Sequence, residues 1–123
     1  MKPVIIKNIE IGKGLPKIAV PLVAANTQEL EQTLRVLKET AFDIIEFRAD
    51  FFQKALNADF IVEQLGIVRQ AFPDKPLLFT FRRAQEGGNT PCSDDYYFEL
   101  LEKIIRSKQI GRASCRERVF RAV

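Results

Sequence analysis

The sequence predicts an α/β fold built on a parallel sheet, and three observations lead there. Short, β-rich apolar runs alternate with stretches whose apolar residues recur at helical spacing, in the order β-α-β-α-β-α. That alternation calls for right-handed crossovers, because each strand must bury both faces while each helix buries only one stripe. It leaves a (β/α)8 barrel or an open doubly wound sheet. The first strand-to-helix loop, "AANTQ", contains no glycine and lacks the GxGxxG pyrophosphate fingerprint, which takes weight from the open sheet.

Each element has its own signal. "KIAVPLV", Lys17 to Val23, follows the Gly12, Gly14 and Pro16 punctuation and reads as the first strand. Asn26 with Glu29 three residues later makes a capping box, and Leu30, Leu34 and Leu37 carry a helix to about Thr40. "FDIIEFRAD", Phe42 to Asp50, is the second strand. Ile61, Leu65, Val68 and Phe72 form the next helical stripe, which Pro73 stops. "PLLFTFRR" gives the third strand. Ser93, followed by Asp94 and Asp95, starts a third helix with Tyr97, Leu101, Ile104 and Ile105 on its apolar face.

Composition removes several function classes. At 123 residues, with 46% hydrophobic and 28% charged, the chain reads as one soluble globular domain. It shows neither a membrane-spanning run nor a secretory signal, so a cytoplasmic location without membrane attachment is expected. Cys92 and Cys115 form no CxxC pair and are read as structural thiols, with no metal site. The chain has no histidine, so any acid-base chemistry within it falls to Glu, Asp, Lys or Tyr. Residues 110–123 hold four arginines against one glutamate, which accounts for the whole net charge of +3 and leaves residues 1–109 neutral. A nucleic-acid interface calls for a basic face on the folded body, so no nucleic-acid partner is expected, and a basic-tailed binder is the lesser reading.

Period two along the strands collects the candidate site. Ile44, Glu46, Arg48 and Asp50 share one face of the second strand, opposite Ile45, Phe47 and Ala49. On the third, Leu78, Thr80 and Arg82 lie opposite Leu77, Phe79 and Phe81. The aromatic faces suit helices, and the other faces become ionic at their C-terminal ends, where barrel active sites are built. Glu46, Arg48 and Arg82 would face one another there; a purely structural ion pair is the competing reading. Arg83 has the opposite parity and is expected to face the helices. The Gly87-Gly88 pair reads as a turn rather than a phosphate cradle, because no helix begins immediately after it.

"FDIIEFRAD" resembles the E-W/F-R-x-D strand of the type I 3-dehydroquinate dehydratases, and "LLFTFRRAQEGG" resembles their L-x-T-x-R-x-x-x-E-G-G segment. "PKIAVPLV" is similar to that family's first barrel strand. The resemblance covers most of residues 1–109. It implies the N-terminal portion of a (β/α)8 TIM barrel, about three β/α units with a short N-terminal β extension. The activity implied is conversion of 3-dehydroquinate to 3-dehydroshikimate in the shikimate pathway, with no metal or dissociable cofactor and a homodimer at full length. A lysine forms an imine with the substrate ketone, and a histidine moves the proton. Glu46, Arg48 and Arg82 match substrate-binding positions, and Glu86 matches the acidic position that supports the histidine.

The chain also departs from the family pattern. Pro21 stands where some relatives carry serine. The imine lysine and the histidine belong to the second half of the family barrel, and none of the nine lysines here matches the imine position. The isolated chain is therefore expected to be an inactive fragment, or a non-catalytic half-barrel acting through self-association or a partner. "IGRASCRERVFRAV" has no family match and is expected not to enter the next barrel strand. Residues 110–123 are read as an artefactual or disordered tail: translated vector, adaptor or misassembled sequence.

Overall fold

Three β/α units succeed one another along the chain, as the alternation predicts. The computed structural model describes residues 4–6, 9–12, 14–108, 112–114 and 119–121, with 4, 6, 10, 11, 86, 112–114 and 119–121 described by backbone alone. At the start, β1 (Val4–Ile6) and β2 (Ile9–Ile11) pair antiparallel, forming the short β extension. The units themselves are β3 (Ala19–Leu22) with α1 (Thr27–Lys38), β4 (Ile44–Arg48) with α2 (Ala58–Ala71), and β5 (Leu77–Thr80) with α3 (Asp94–Ser107).

Each helix starts on a side chain that accepts an otherwise orphaned N–H. Asn26 Oδ1 takes the Glu29 N–H at 2.9 Å, while the Glu29 carboxylate receives the Ala25 N–H at 2.8 Å, one residue before the partner an ideal capping box would use. Asn57 caps α2 through the Phe60 N–H at 3.0 Å. Ser93 caps α3 through the Tyr96 N–H at 3.2 Å. Arg69 closes the other end of α2 by donating to the carbonyls of Phe72 and Lys75 at 3.3 and 2.7 Å.

The strands run side by side in the order β3-β4-β5, all parallel, with Val20 opposite Ile45 and Ile45 opposite Leu77. Ile45, Phe47, Phe79 and Phe81 are fully buried against Leu30, Ile61, Leu65, Leu100 and Ile104. Burial of each such side chain is worth about 2 kcal/mol, and the Phe47 and Phe79 rings stack at 6.0 Å between centroids. The opposite face is open: Ile44, Glu46, Arg48 and Leu78 are half-buried, and Ala19 and Pro21 are exposed. Pro21 is accommodated because β3 is an edge strand, where a missing N–H breaks fewer ladder bonds.

Two expectations are corrected. Ile105 is 38% exposed, and Leu100 fills the core in its place; Ile105 lies about 100° round the helix from Ile104, beyond the stripe that Tyr97, Leu100, Leu101 and Ile104 define. The tail does enter the sheet. β6 (Arg112–Ser114) pairs parallel with β5, Leu78 opposite Arg112, and β7 (Val119–Arg121) returns antiparallel to β6. A free sheet edge offers backbone N–H and C=O groups to any extended segment, whatever its side chains.

Candidate active site

The C-terminal ends of β4 and β5 carry the charged residues, and the strand pleat decides which way they face. Glu46 and Arg48 leave β4 on the open face, away from the buried Ile45 and Phe47. Thr80, on the same face of β5, donates to Glu46 Oε2 at 3.1 Å. Among the described residues Glu46 makes no ion pair with Arg48 or Arg82, so the salt bridge weighed against a binding role is not formed there.

Arg48 turns instead to Asp50. Its Nε donates to Asp50 Oδ1 at 3.1 Å and its Nη2 to Oδ2 at 3.0 Å, a bidentate pair, while the guanidinium lies 4.7 Å from the centre of the Phe51 ring. Asp50 departs from its expected parity. The strand ends at Arg48, and Ala49–Phe51 winds into a 3₁₀ turn that carries Asp50 to complete burial.

Arg82 lies two residues beyond β5 and is exposed. Arg83 turns to the helices, as parity predicts: it pairs with Asp94 of α3, and its guanidinium lies 5.3 Å from the Tyr97 ring centre. After a 3₁₀ turn, Ala84–Glu86, the chain reverses through Gly87 at φ 85°. The Glu86 side chain lies outside the described residues, as does Cys115. Gly87-Gly88 is the turn expected. The Gly88 N–H bonds to the Arg83 carbonyl at 2.8 Å, and a Cβ on Gly88 would sit 1.6 Å from the Arg82 carbonyl oxygen. Only glycine permits that approach.

The surrounding layer is tied down. Tyr96 donates its hydroxyl to the Ala55 carbonyl at 2.6 Å, linking α3 to the loop after β4. Burial, followed by the charges of Cys92 and Glu99, pushes the Tyr96 phenol up to about 12. Cys92 is buried, in keeping with a structural thiol. Among the described residues, no three His, Cys, Asp or Glu side chains gather to hold a metal ion. A cleft of about 320 Å³ lies between Ala25–Gln28 and Gln53, Lys54 and Phe60.

Periodicity located Glu46, Arg48 and Arg82 at one end of the sheet. It gave no role to Asp50, Thr80, Asn89 or Thr90, whose hydrogen bonds hold that end together. Their one sequence signal was their position within or beside the charged motifs.

Known proteins resemble this chain in sequence and in fold. The sequence model of the Type I 3-dehydroquinase family matches residues 18–111. The 3-dehydroquinate dehydratase of Neisseria meningitidis serogroup B is 56% identical over 104 residues, 85% of this chain and 41% of that protein. That of Clostridium novyi is 41% identical over 110 residues, 89% of this chain and 44% of that protein. Among solved structures, the type I 3-dehydroquinate dehydratase of Clostridium difficile superposes with a TM-score of 0.87 at 39% identity, covering 91% of this chain and 44% of that one. The enzyme of Geobacillus kaustophilus superposes with a TM-score of 0.85 at 28% identity. The chain thus spans less than half the length of the relatives it matches, and on its matched residues, its parallel β/α units and its charged strand ends it belongs to the type I 3-dehydroquinase family.

Proposed function

We propose that this chain supplies the substrate-holding part of a 3-dehydroquinate dehydratase, a lyase that converts 3-dehydroquinate to 3-dehydroshikimate in the shikimate pathway. The observation that carries the reading is the shared open face of β4 and β5, with Glu46 and Arg48 at its C-terminal end and exposed Arg82 just beyond. Arg82 and the uncommitted N–H groups of Arg48 suit a carboxylated, hydroxylated ring, and Glu46 accepts from ring hydroxyls. Glu86 orients and charges the imidazole that moves the proton.

The elimination itself needs two groups that the 123 residues do not provide. An amine must form the imine, so that electrons released at the neighbouring carbon have a sink, and a histidine must carry the proton as water departs. The chain holds no histidine. Alone it is inactive on this reading, and the amine and imidazole come from further β/α units that close the barrel. A homodimeric, cytoplasmic full-length enzyme belongs to the same proposal on family grounds; no described helix is long and apolar enough to cross a membrane.

A foreign origin for the tail is part of the proposal, supported by its lysine-free, arginine-rich composition and by a family match that ends at residue 111. Genomic DNA that continues in frame through the Gln109 codon into this same tail would sink it.

The functional test joins this chain, by co-expression, to the part of the Neisseria meningitidis relative that follows its matched region. Formation of 3-dehydroshikimate is followed by its ultraviolet absorbance, and borohydride traps the imine. Turnover by the pair and none by the 123-residue chain is expected. Turnover by the purified chain alone, or a soluble, folded pair that neither turns over nor traps substrate, overturns the reading.

A further inference from the structure

Asp50 is a fully buried carboxylate at the junction of the two loops that carry the candidate site. One side of it grips Arg48 through the bidentate pair at 3.1 and 3.0 Å. The other side grips the loop after β5: the Asn89 N–H donates to Asp50 Oδ2 at 3.2 Å. The Asp50 carbonyl accepts from Asn89 Nδ2 at 3.2 Å and from Thr90 Oγ1 at 2.6 Å. Thr90 returns the constraint to the end of β5, because its carbonyl accepts the Ala84 N–H at 2.8 Å and it bridges to Arg83. Two covalent neighbours are thereby held, and Arg82 is the next residue back along the chain.

The geometry points to Asp50 as a positioning residue that sets the Arg48 guanidinium and the Arg82 backbone in one mutual arrangement, so that both meet an oxygen-rich ligand together. This rests on the proposed substrate-holding role of the two arginines. The Arg48 fork has five N–H donors; Asp50 takes two and leaves three in a fixed plane. Without Asp50 the Arg48 guanidinium keeps, among the described residues, only its contact with the Phe51 ring, and its ordering must be repaid when a ligand binds. Burying a carboxylate is a poor way to gain stability alone, since desolvation offsets much of the attraction to its partner. It is an effective way to hold a direction, because both oxygens and the carbonyl are committed to partners on different loops.

The variant Asp50→Asn keeps the size, the main-chain carbonyl and one acceptor for Asn89, and removes the charge and half the grip on Arg48. On the 123-residue chain, nitrogen-resolved NMR of the arginine side chains reads the first effect. Exchange of the Arg48 Nε–H with water should quicken about tenfold or more in the variant, and the Arg82 signals should shift. Thr90→Val keeps the carboxylate and removes from the loop arm only the Thr90 Oγ1 bond to the Asp50 carbonyl; it should shift Arg82 and leave Arg48 Nε–H protected. This second variant decides the coupling if Asp50→Asn does not fold.

In the completed barrel described above, Asp50→Asn should raise KM about tenfold with kcat changed less than about threefold, and should add nothing to the KM of an Arg48→Gln variant. A fall in kcat with KM unchanged marks a structural role and overturns the inference. So does full additivity with Arg48→Gln, or an Arg48 Nε–H that exchanges equally fast with and without Asp50. A parent barrel that never turns over counts against the dehydratase reading alone, because the NMR measurements still decide what Asp50 holds.

Discussion

The Thr80 hydroxyl donates to the Glu46 carboxylate at 3.1 Å, joining β5 to β4 on the face that the helices leave uncovered. Thr80 is itself buried, so its hydroxyl has no easy exchange of partner for water. Thr80→Val keeps the branched shape and deletes the donor. In the completed barrel it should cost about 1.5 kcal/mol of transition-state stabilisation, roughly tenfold in kcat/KM, through a Glu46 free to turn. Unchanged kcat/KM would show that Glu46 needs no help from Thr80.

Arg82 and Arg83 are adjacent in sequence and differ in setting: Arg82 is exposed, whereas Arg83 is paired with α3. Arg82→Ala should lower kcat/KM of the completed barrel by roughly thirtyfold or more, from the loss of about 2 to 4 kcal/mol of charge-assisted contact. Arg83→Ala removes a partly exposed pair with Asp94 and a cation–π contact with Tyr97, and should cost stability on the order of 1 kcal/mol with little effect on kcat/KM. Equal kinetic losses would contradict the facing assigned to the two side chains.

Gly88 fixes how closely the turn returns to β5. Gly88→Ala places a methyl group against the Arg82 carbonyl, a rigid backbone atom, and the loop must move away. Thermal unfolding of the 123-residue chain should show a loss of about 2 kcal/mol or more. Crystals of the variant should show Arg82 displaced. An unshifted melting temperature would mean that the turn has slack that the 1.6 Å approach denies.

Tyr96 makes stability fall in alkali. Its phenol is raised from 10.0 to about 12 by burial first and by the Cys92 and Glu99 charges second. Below pH 10 both folded and unfolded chains carry the phenolic proton, and the Tyr96 contribution is fully present. Between pH 10 and about 12 the unfolded chain releases its proton first, so that contribution is lost as pH rises through this window. Urea unfolding of Tyr96→Phe should show a shallower decline across the window than the parent chain; parallel curves would remove Tyr96 as the cause.

How much of this was legible in the sequence depended on the range of the interaction. Asn26, Ser93 and the leucine stripe of α1 announce helices because capping and amphipathic spacing act within a turn or two. Asn57 caps α2 in the same way, but neither a Glu three residues on, as after Asn26, nor a pair of acidic residues, as after Ser93, marks it in the sequence. Phe47 and Phe79 were recognisable as inward by alternation, and their stacking at 6.0 Å needed the register of β4 against β5. Asp50 was assigned to the open face by extending the strand two residues too far.

The sequence by itself determined the order of β/α units, the starts of α1 and α3, and the facing of Glu46, Arg48 and Arg83, because a period of two or 3.6 is a property of the local backbone. It also carried the family in two charged motifs. Only the tertiary structure decided that Arg48 is gripped by Asp50, that Glu46 leans on Thr80, and that Asn89 and Thr90 pin one loop to the other. It also showed a free edge of β5 taking Arg112–Ser114 as a neighbour despite an unrelated composition. Hydrogen bonds between residues 34 to 40 positions apart depend on where strand ends stop and loops turn back, which alternation of side chains along one strand does not encode.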